Sequence, residues 1–208
     1  MNFYNMVKFN ISYDNLIEAH NSKEAQYDKA YSELILPIKD SWQELDSIID
    51  FVRRWNKRVP IGKNKNQIKA AILSLKKEFE VFKNCRIENL KFTPKNITLI
   101  KKIYDTLSKT VLKSTGTTKL MHGMNPDLFV MWDKGIYDYY GCYHNSTGYI
   151  RFMESMQEII VKILKQHNNR DIIKETNRTL PKLVDEYNWM HFRTSKIHTL
   201  YSTTRFKN

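Results

Sequence analysis

Residues 114–141, STGTTKLMHGMNPDLFVMWDKGIYDYYG, gather four isolated glycines, an Asn-Pro step and a Trp-Asp pair into one short stretch of an otherwise periodic chain. Pro126 and the residue before it disfavour helical continuation, so two short helices meeting at tight turns fit better than one long helix. On this reading Ser114-Thr115-Gly116 is a loop and Lys119-Leu120-Met121-His122 starts a helix. Asp133 caps a further short helix, Lys134 to Tyr140, that closes in Gly141.

Outward from this stretch the apolar residues recur at helical spacing. Trp42, Leu45, Ile48, Ile49, Val52 and Trp55 predict a helix capped by Asp40 or Ser41 and ended near Pro60 and Gly62. Ile68, Ile72, Leu75, Phe79 and Phe82 predict a second run with lysines on its other face. Thr93-Pro94 supplies an N-cap and a first-turn proline for a helix carrying Ile97, Ile100, Tyr104, Leu107 and Leu112. A long helix is expected over 147–167, with Tyr149, Phe152, Met153, Met156, Ile159, Ile160, Ile163 and Leu164 as core. A weaker helix is expected within 12–31, closed by Pro37, and another at LPKLVDEYNWMHF. Residues 193–208 read as a polar, basic tail. With no strand alternation and no internal repeat, the class is all-α, a compact multi-helix domain. The single domain 1–208 would divide, if it has lobes, at about 1–112 and 113–190, with a cleft between them.

Lys plus Arg number 34 against 22 Asp plus Glu, a formal charge of +12. Such an excess favours a polyanion partner, because clustered Lys and Arg release the counterions condensed on phosphates. The sharpest asymmetry is Arg53, Arg54, Lys57, Arg58, Lys63, Lys65 and Lys69, a run without an Asp or Glu between its ends. It reads either as a DNA backbone patch or as a solvated basic loop. Two cysteines, Cys85 and Cys142, without C-x-x-C spacing make neither a disulfide scaffold nor a zinc module. The six histidines lack metal-site spacing, and phosphate-loop, dinucleotide-binding and serine-hydrolase motifs are absent. No metal and no cofactor are expected. The first residues lack a signal-peptide pattern and no long apolar run occurs, so an intracellular protein without a membrane partner is expected.

The order Gly-containing hairpin, Lys119, apolar helix, Pro126, apolar residues, Asp133 and a helix closing in Gly141 resembles the helix-hairpin-helix DNA glycosylase superfamily over residues 114–141. The resemblance implies that Ser114, Thr115, Gly116, Thr117 and Thr118 form a hairpin gripping a DNA phosphate. It implies that Asp133 is the catalytic carboxylate, and it makes Lys119 the candidate for the lysine of bifunctional members. Ser114 stands where the family has its first hairpin glycine, and the family lysine position falls on Thr118, one residue before Lys119. A monofunctional enzyme that needs Asp133 and not Lys119 is therefore implied, and the catalytic place of Lys119 is doubtful.

Removal of a base builds positive charge on the sugar, which a carboxylate stabilises while it orients water. The target must first be flipped out of the duplex into a pocket. Trp132, Tyr137, Tyr140 and His122 are the pocket candidates by nearness in sequence to Asp133. The expected substrate is a damaged or modified base of DNA, in repair or antiviral defence, handled by a monomer. The alternative is a catalytically inactive helical module that binds nucleic acid or a protein.

Overall fold

The computed structural model describes residues 11–22, 28–166 and 172–203, with side chains described as far as His191. Among the described residues the chain is all α-helical with no strand. In order, α1 spans Tyr13–Asn21, α2 Lys29–Leu34, α3 Leu45–Trp55, α4 Lys65–Ser74 and α5 Lys76–Val81. There follow α6 at Pro94–Ser108, α7 at Lys113–Met124, α8 at Lys134–Tyr139 and α9 at Ser146–Gln166. The last two are α10, Ile172–Thr176, and α11, Leu180–Thr203.

Local chemistry sets most of these boundaries. Ser12 and Asn15 form a capping box on α1, and Asp28 caps α2 by accepting from the Tyr31 N–H. Thr93 caps α6 with Pro94 in its first turn, as its sequence predicts. Asp40 caps no helix. Its carboxylate accepts from Trp42 N at 2.9 Å in a turn, and α3 starts only at Leu45. The run 66–82 is two helices that meet at Leu75. The segment 12–31 is likewise two helices, with 23–27 outside the described residues. The expected basic tail at 193–208 is helical backbone to Thr203, as α11 carries on; 204–208 lie outside the described residues.

Helix α7 is the centre of the fold. Every residue from Gly116 to Met124 is buried, the polar Thr117, Thr118, Lys119 and His122 included. It packs against α3 and α6. Gly123 makes the α3 approach possible, since a Cβ there would lie 2.6 Å from Ile48 Cγ2. One hydrophobic cluster joins residues from Ile11 to Val184.

After α7 the chain crosses the core without regular structure from Asn125 to Trp132, and its backbone is satisfied by side chains. Asn125 Nδ2 donates to the carbonyls of Phe82 and Cys85, and the Tyr149 hydroxyl donates to Val130 O. His122 Nδ1 donates to Phe129 O at 2.6 Å, because a carbonyl can only accept. That tautomer leaves His122 Nε2 to accept from the Tyr31 hydroxyl at 3.1 Å. Burial pushes the His122 pKa down to about 3, so the ring is neutral.

Candidate active site

Ser114 and Thr118 sit one turn apart on α7 and hold Trp132 between them. Trp132 Nε1 donates to Ser114 Oγ at 3.1 Å, and Trp132 N donates to Thr118 Oγ1 at 3.3 Å. Ser114 Oγ also meets the Tyr104 hydroxyl at 2.7 Å. These hydroxyls are engaged inside the protein, which corrects the hairpin expectation: Ser114, Thr115, Gly116, Thr117 and Thr118 are helix, not a phosphate-gripping loop. The turn between α6 and α7 lies earlier, at 109–112, and Lys113 carries the positive φ of 50°. Gly116 is a packing residue whose Cβ would stand 3.2 Å from Leu112 Cβ.

A charged residue follows each end of the clamp. Lys119 comes directly after Thr118, and Asp133 directly after Trp132; the two side chains form no ion pair, and the Asp133 charge acts on Lys119 from beyond contact. Asp133 is partly exposed and caps α8, with Oδ1 accepting from Ile136 N at 3.1 Å. Lys119 is 7% exposed and makes no hydrogen bond or ion pair among the described residues; its Nζ lies 5.0 Å from the Trp55 ring centroid. Burial lowers its pKa; Asp185 and Asp133 pull the other way, and the downward push of the Lys182 charge is smaller than either.

A second lysine meets the same indole. Lys182 Nζ lies 4.9 Å from the Trp55 centroid and 5.1 Å from that of Tyr31. Unlike Lys119, it is surrounded by carboxylates, at 2.7 Å from Asp28 Oδ2, 3.0 Å from Asp185 Oδ2 and 3.8 Å from Glu186 Oε1. Glu186 is shared with His20 and Arg178. The carboxylates outweigh burial and hold Lys182 charged, whereas burial pushes Asp185 up to about 6. Sequence reasoning missed Asp28, Trp55, Lys182, Asp185 and Glu186 as site residues. The one local signal was a lysine with acids three and four residues on, and that pattern reads equally as a solvated helix face.

The expected base pocket is a correction. Trp132 and His122 are fully buried and Tyr137 nearly so, packed ring to ring or hydrogen-bonded within the core, where no base can stack on them. Tyr140 is half-buried against Phe152, with its hydroxyl donating to Asn188. Their apolar neighbours in the 125–133 crossing draw them inward. A cavity of about 260 Å³ does open elsewhere, between Trp42, Phe79, Lys83, Gly123 and Asn125, and Asp133 does not line it.

The basic stretch is also narrower than its sequence. Asp46 takes both Lys65 and Lys69, at 2.6 and 2.8 Å; Asp50 takes Arg53 and Glu33 takes Arg54. Lys57, Arg58 and Lys63 carry no carboxylate partner among the described residues, and Lys57, Arg58 and Lys63 are all exposed. Among the described residues no group of His, Cys, Asp and Glu could hold a metal ion, and no helix is long and apolar enough to cross a membrane.

Comparison of the chain with protein-family models, with curated proteins and with solved structures gives no match.

Proposed function

We propose that this chain is a DNA glycosylase-like enzyme that flips out a damaged or modified base and removes it with Asp133 assisting. The observation that carries this reading is a buried lysine, Lys119, that has no carboxylate contact and on which the charge of Asp133 acts. Keeping such an amine in the interior is costly, and lysines of lowered pKa beside a carboxylate are typical of sites where an amine does chemistry. Asp133 stabilises the charge that develops on the sugar and orients the attacking water. Lys119 is the second group at that centre. The one-residue offset that spoke against it presupposes a hairpin at 114–118, and those residues are helix. Lys57, Arg58 and Lys63 supply the phosphate contacts, and the protein acts as a monomer.

The test is base release from duplexes carrying 8-oxoguanine, uracil, alkylated or phage-type modified bases, comparing wild type with Asp133→Asn and Lys119→Ala. Release abolished by Asp133→Asn supports the reading. A covalent adduct on borohydride reduction that vanishes in Lys119→Ala assigns the attack to the amine, and Asp133-dependent release without an adduct assigns it to water.

A second reading, an inactive module that binds nucleic acid or a protein, is favoured by one observation: the Asp133 carboxylate is already engaged as a helix cap. DNA binding without release of any base, unchanged by Asp133→Asn, would select it.

A further inference from the structure

The C-terminal end of α7 leaves carbonyls without partners. Pro126 has no N–H to close on His122 O, Asp127 N donates instead to Asn125 Oδ1 at 3.1 Å, and Leu128 N donates to Asn125 O. The carbonyls of Gly123 and Met124 therefore accept from no group among the described residues, and both residues line the cavity of about 260 Å³. The last carbonyls of a helix point beyond its end and form the negative pole of its dipole. This wall suits a positively charged donor, and Asp127 adds to it a carboxylate with no ion-pair partner among the described residues.

The same cavity is lined by two exposed lysines, Lys39 and Lys83, and neither has a carboxylate partner among the described residues. Asp40 is the remaining charged group of the lining, with Oδ1 accepting from Trp42 N at 2.9 Å. Two cations and two carboxylates balance, which matches a ligand that carries both charges and no net one. Ile35, Ile38, Phe79 and Trp42 supply apolar wall. Trp42 is fixed by donating Nε1 to Glu80 and by the edge of Phe79, with ring centroids 6.1 Å apart. Lys76 Nζ already lies 5.6 Å from the Trp42 centroid, so the indole is a wall and not the seat of a ligand's ammonium. Asn125 ties the end of α7 to the end of α5 through Phe82 O and Cys85 O, which makes the walls pre-formed. The volume lies below the roughly 300–1,000 Å³ of pockets for drug-sized ligands, so the occupant is a small metabolite.

We propose that this cavity is a binding site for a free α-amino acid with an apolar side chain, its ammonium held by the α7 carbonyls and Asp127 and its carboxylate by Lys39 and Lys83. The side chain lies against Trp42, Phe79 and the two isoleucines. Asp133 is not part of the lining, so this site is separate from the one proposed for base removal.

The test is isothermal titration calorimetry of the full chain with leucine, methionine and phenylalanine, with glycine and aspartate, and with leucinamide and N-acetyl-leucine, each of which lacks one of the two charges. The apolar amino acids should bind at least about tenfold more tightly than glycine or aspartate. Lys39→Ala combined with Lys83→Ala should weaken leucine about tenfold and leave leucinamide unchanged, and Asp127→Asn should weaken leucine and leucinamide and leave N-acetyl-leucine unchanged. A residue that only supports the fold would shift all three ligands together. The substituted side chains are exposed or half-buried, so the variants keep the fold. The proposal is overturned by the absence of binding of every amino acid at millimolar concentration, by equal affinity for leucine and leucinamide, or by a leucine Kd that both sets of substitutions leave in place. A free nucleobase bound in preference to every amino acid overturns it as well. Neither DNA nor Asp133 enters the experiment, so its outcome is independent of the base-release assay.

Discussion

Lys119 and Lys182 stand nearly equidistant from the Trp55 ring, at 5.0 and 4.9 Å, yet one has no carboxylate contact and the other has three. Both are almost wholly buried. The difference teaches where this protein uses charge to hold itself together and where it tolerates charge for another purpose. A buried cation with its counter-ions in place is structural, since removing it strands them. A buried cation without them is a cost to folding that calls for a benefit elsewhere.

The largest expected effect follows directly. Lys182→Met leaves Asp28 and Asp185 uncompensated and should cost about 3–5 kcal/mol in denaturant unfolding. A destabilisation under about 1 kcal/mol would break the comparison at its structural end.

His122 is the third buried base, kept neutral at a pKa of about 3. Its folded pKa is below the unfolded value of about 6.5, so the unfolded state takes up the proton first and stability falls as pH drops through 6.5. Asp185 works in the opposite sense: its folded pKa of about 6 is raised, so its contribution grows as pH falls below that value. Wild type minus His122→Gln cancels the Asp185 contribution. That difference should fall by about 2 kcal/mol between pH 8 and pH 5, and a flat difference would mean that the ring titrates in the folded protein as it does in the unfolded chain.

Lys119→Met should behave unlike Lys182→Met. An apolar chain of similar length removes the buried amine without stranding a partner, so stability should hold or rise by about 1 kcal/mol. A destabilisation above about 2 kcal/mol would make Lys119 structural and end its separation from Lys182.

The contrast between paired and unpaired cations recurs on the surface with smaller consequences. Reversing Lys57, Arg58 and Lys63 should lower the salt slope of DNA binding by roughly 0.9 for each phosphate that is no longer neutralised, whereas reversing Arg53 and Arg54 should do less. Asp46→Asn frees Lys65 and Lys69 and should steepen the slope. Equal slopes in all these variants would remove the segment from the interface.

Where local chemistry decides, the sequence was legible. Thr93-Pro94 opens α6, Asp133 caps α8, and the 147–167 stripe is α9 almost to the residue. Where distant packing decides, it was not. Gly116 looks like a turn glycine, but the flanking Leu112 and Val52 give a helical glycine a reason to be there. Trp132 and His122 look like stacking residues near a catalytic acid, yet Ser114, Thr118, Tyr31 and Phe129 O satisfy their polar atoms and let them sink into the core. Lys182 was invisible because Asp28 reaches it from the other end of the chain, and Trp55 gave no hint that two amines share its ring. Asp133 and Lys119 both lie in the 114–141 stretch, and the Thr118 to Trp132 bond between the residues that precede them has no local sequence signature.

The most direct measurement avoids the unknown base. A duplex carrying a pyrrolidine analogue of an abasic site presents a protonated ring nitrogen where positive charge develops during base removal, and transition-state mimics bind far more tightly than ground states. At fixed salt, wild type should bind this duplex at least about tenfold more tightly than the unmodified one, and Asp133→Asn should erase the preference. Equal Kd values for the two duplexes, or a preference untouched by Asp133→Asn, would contradict the account.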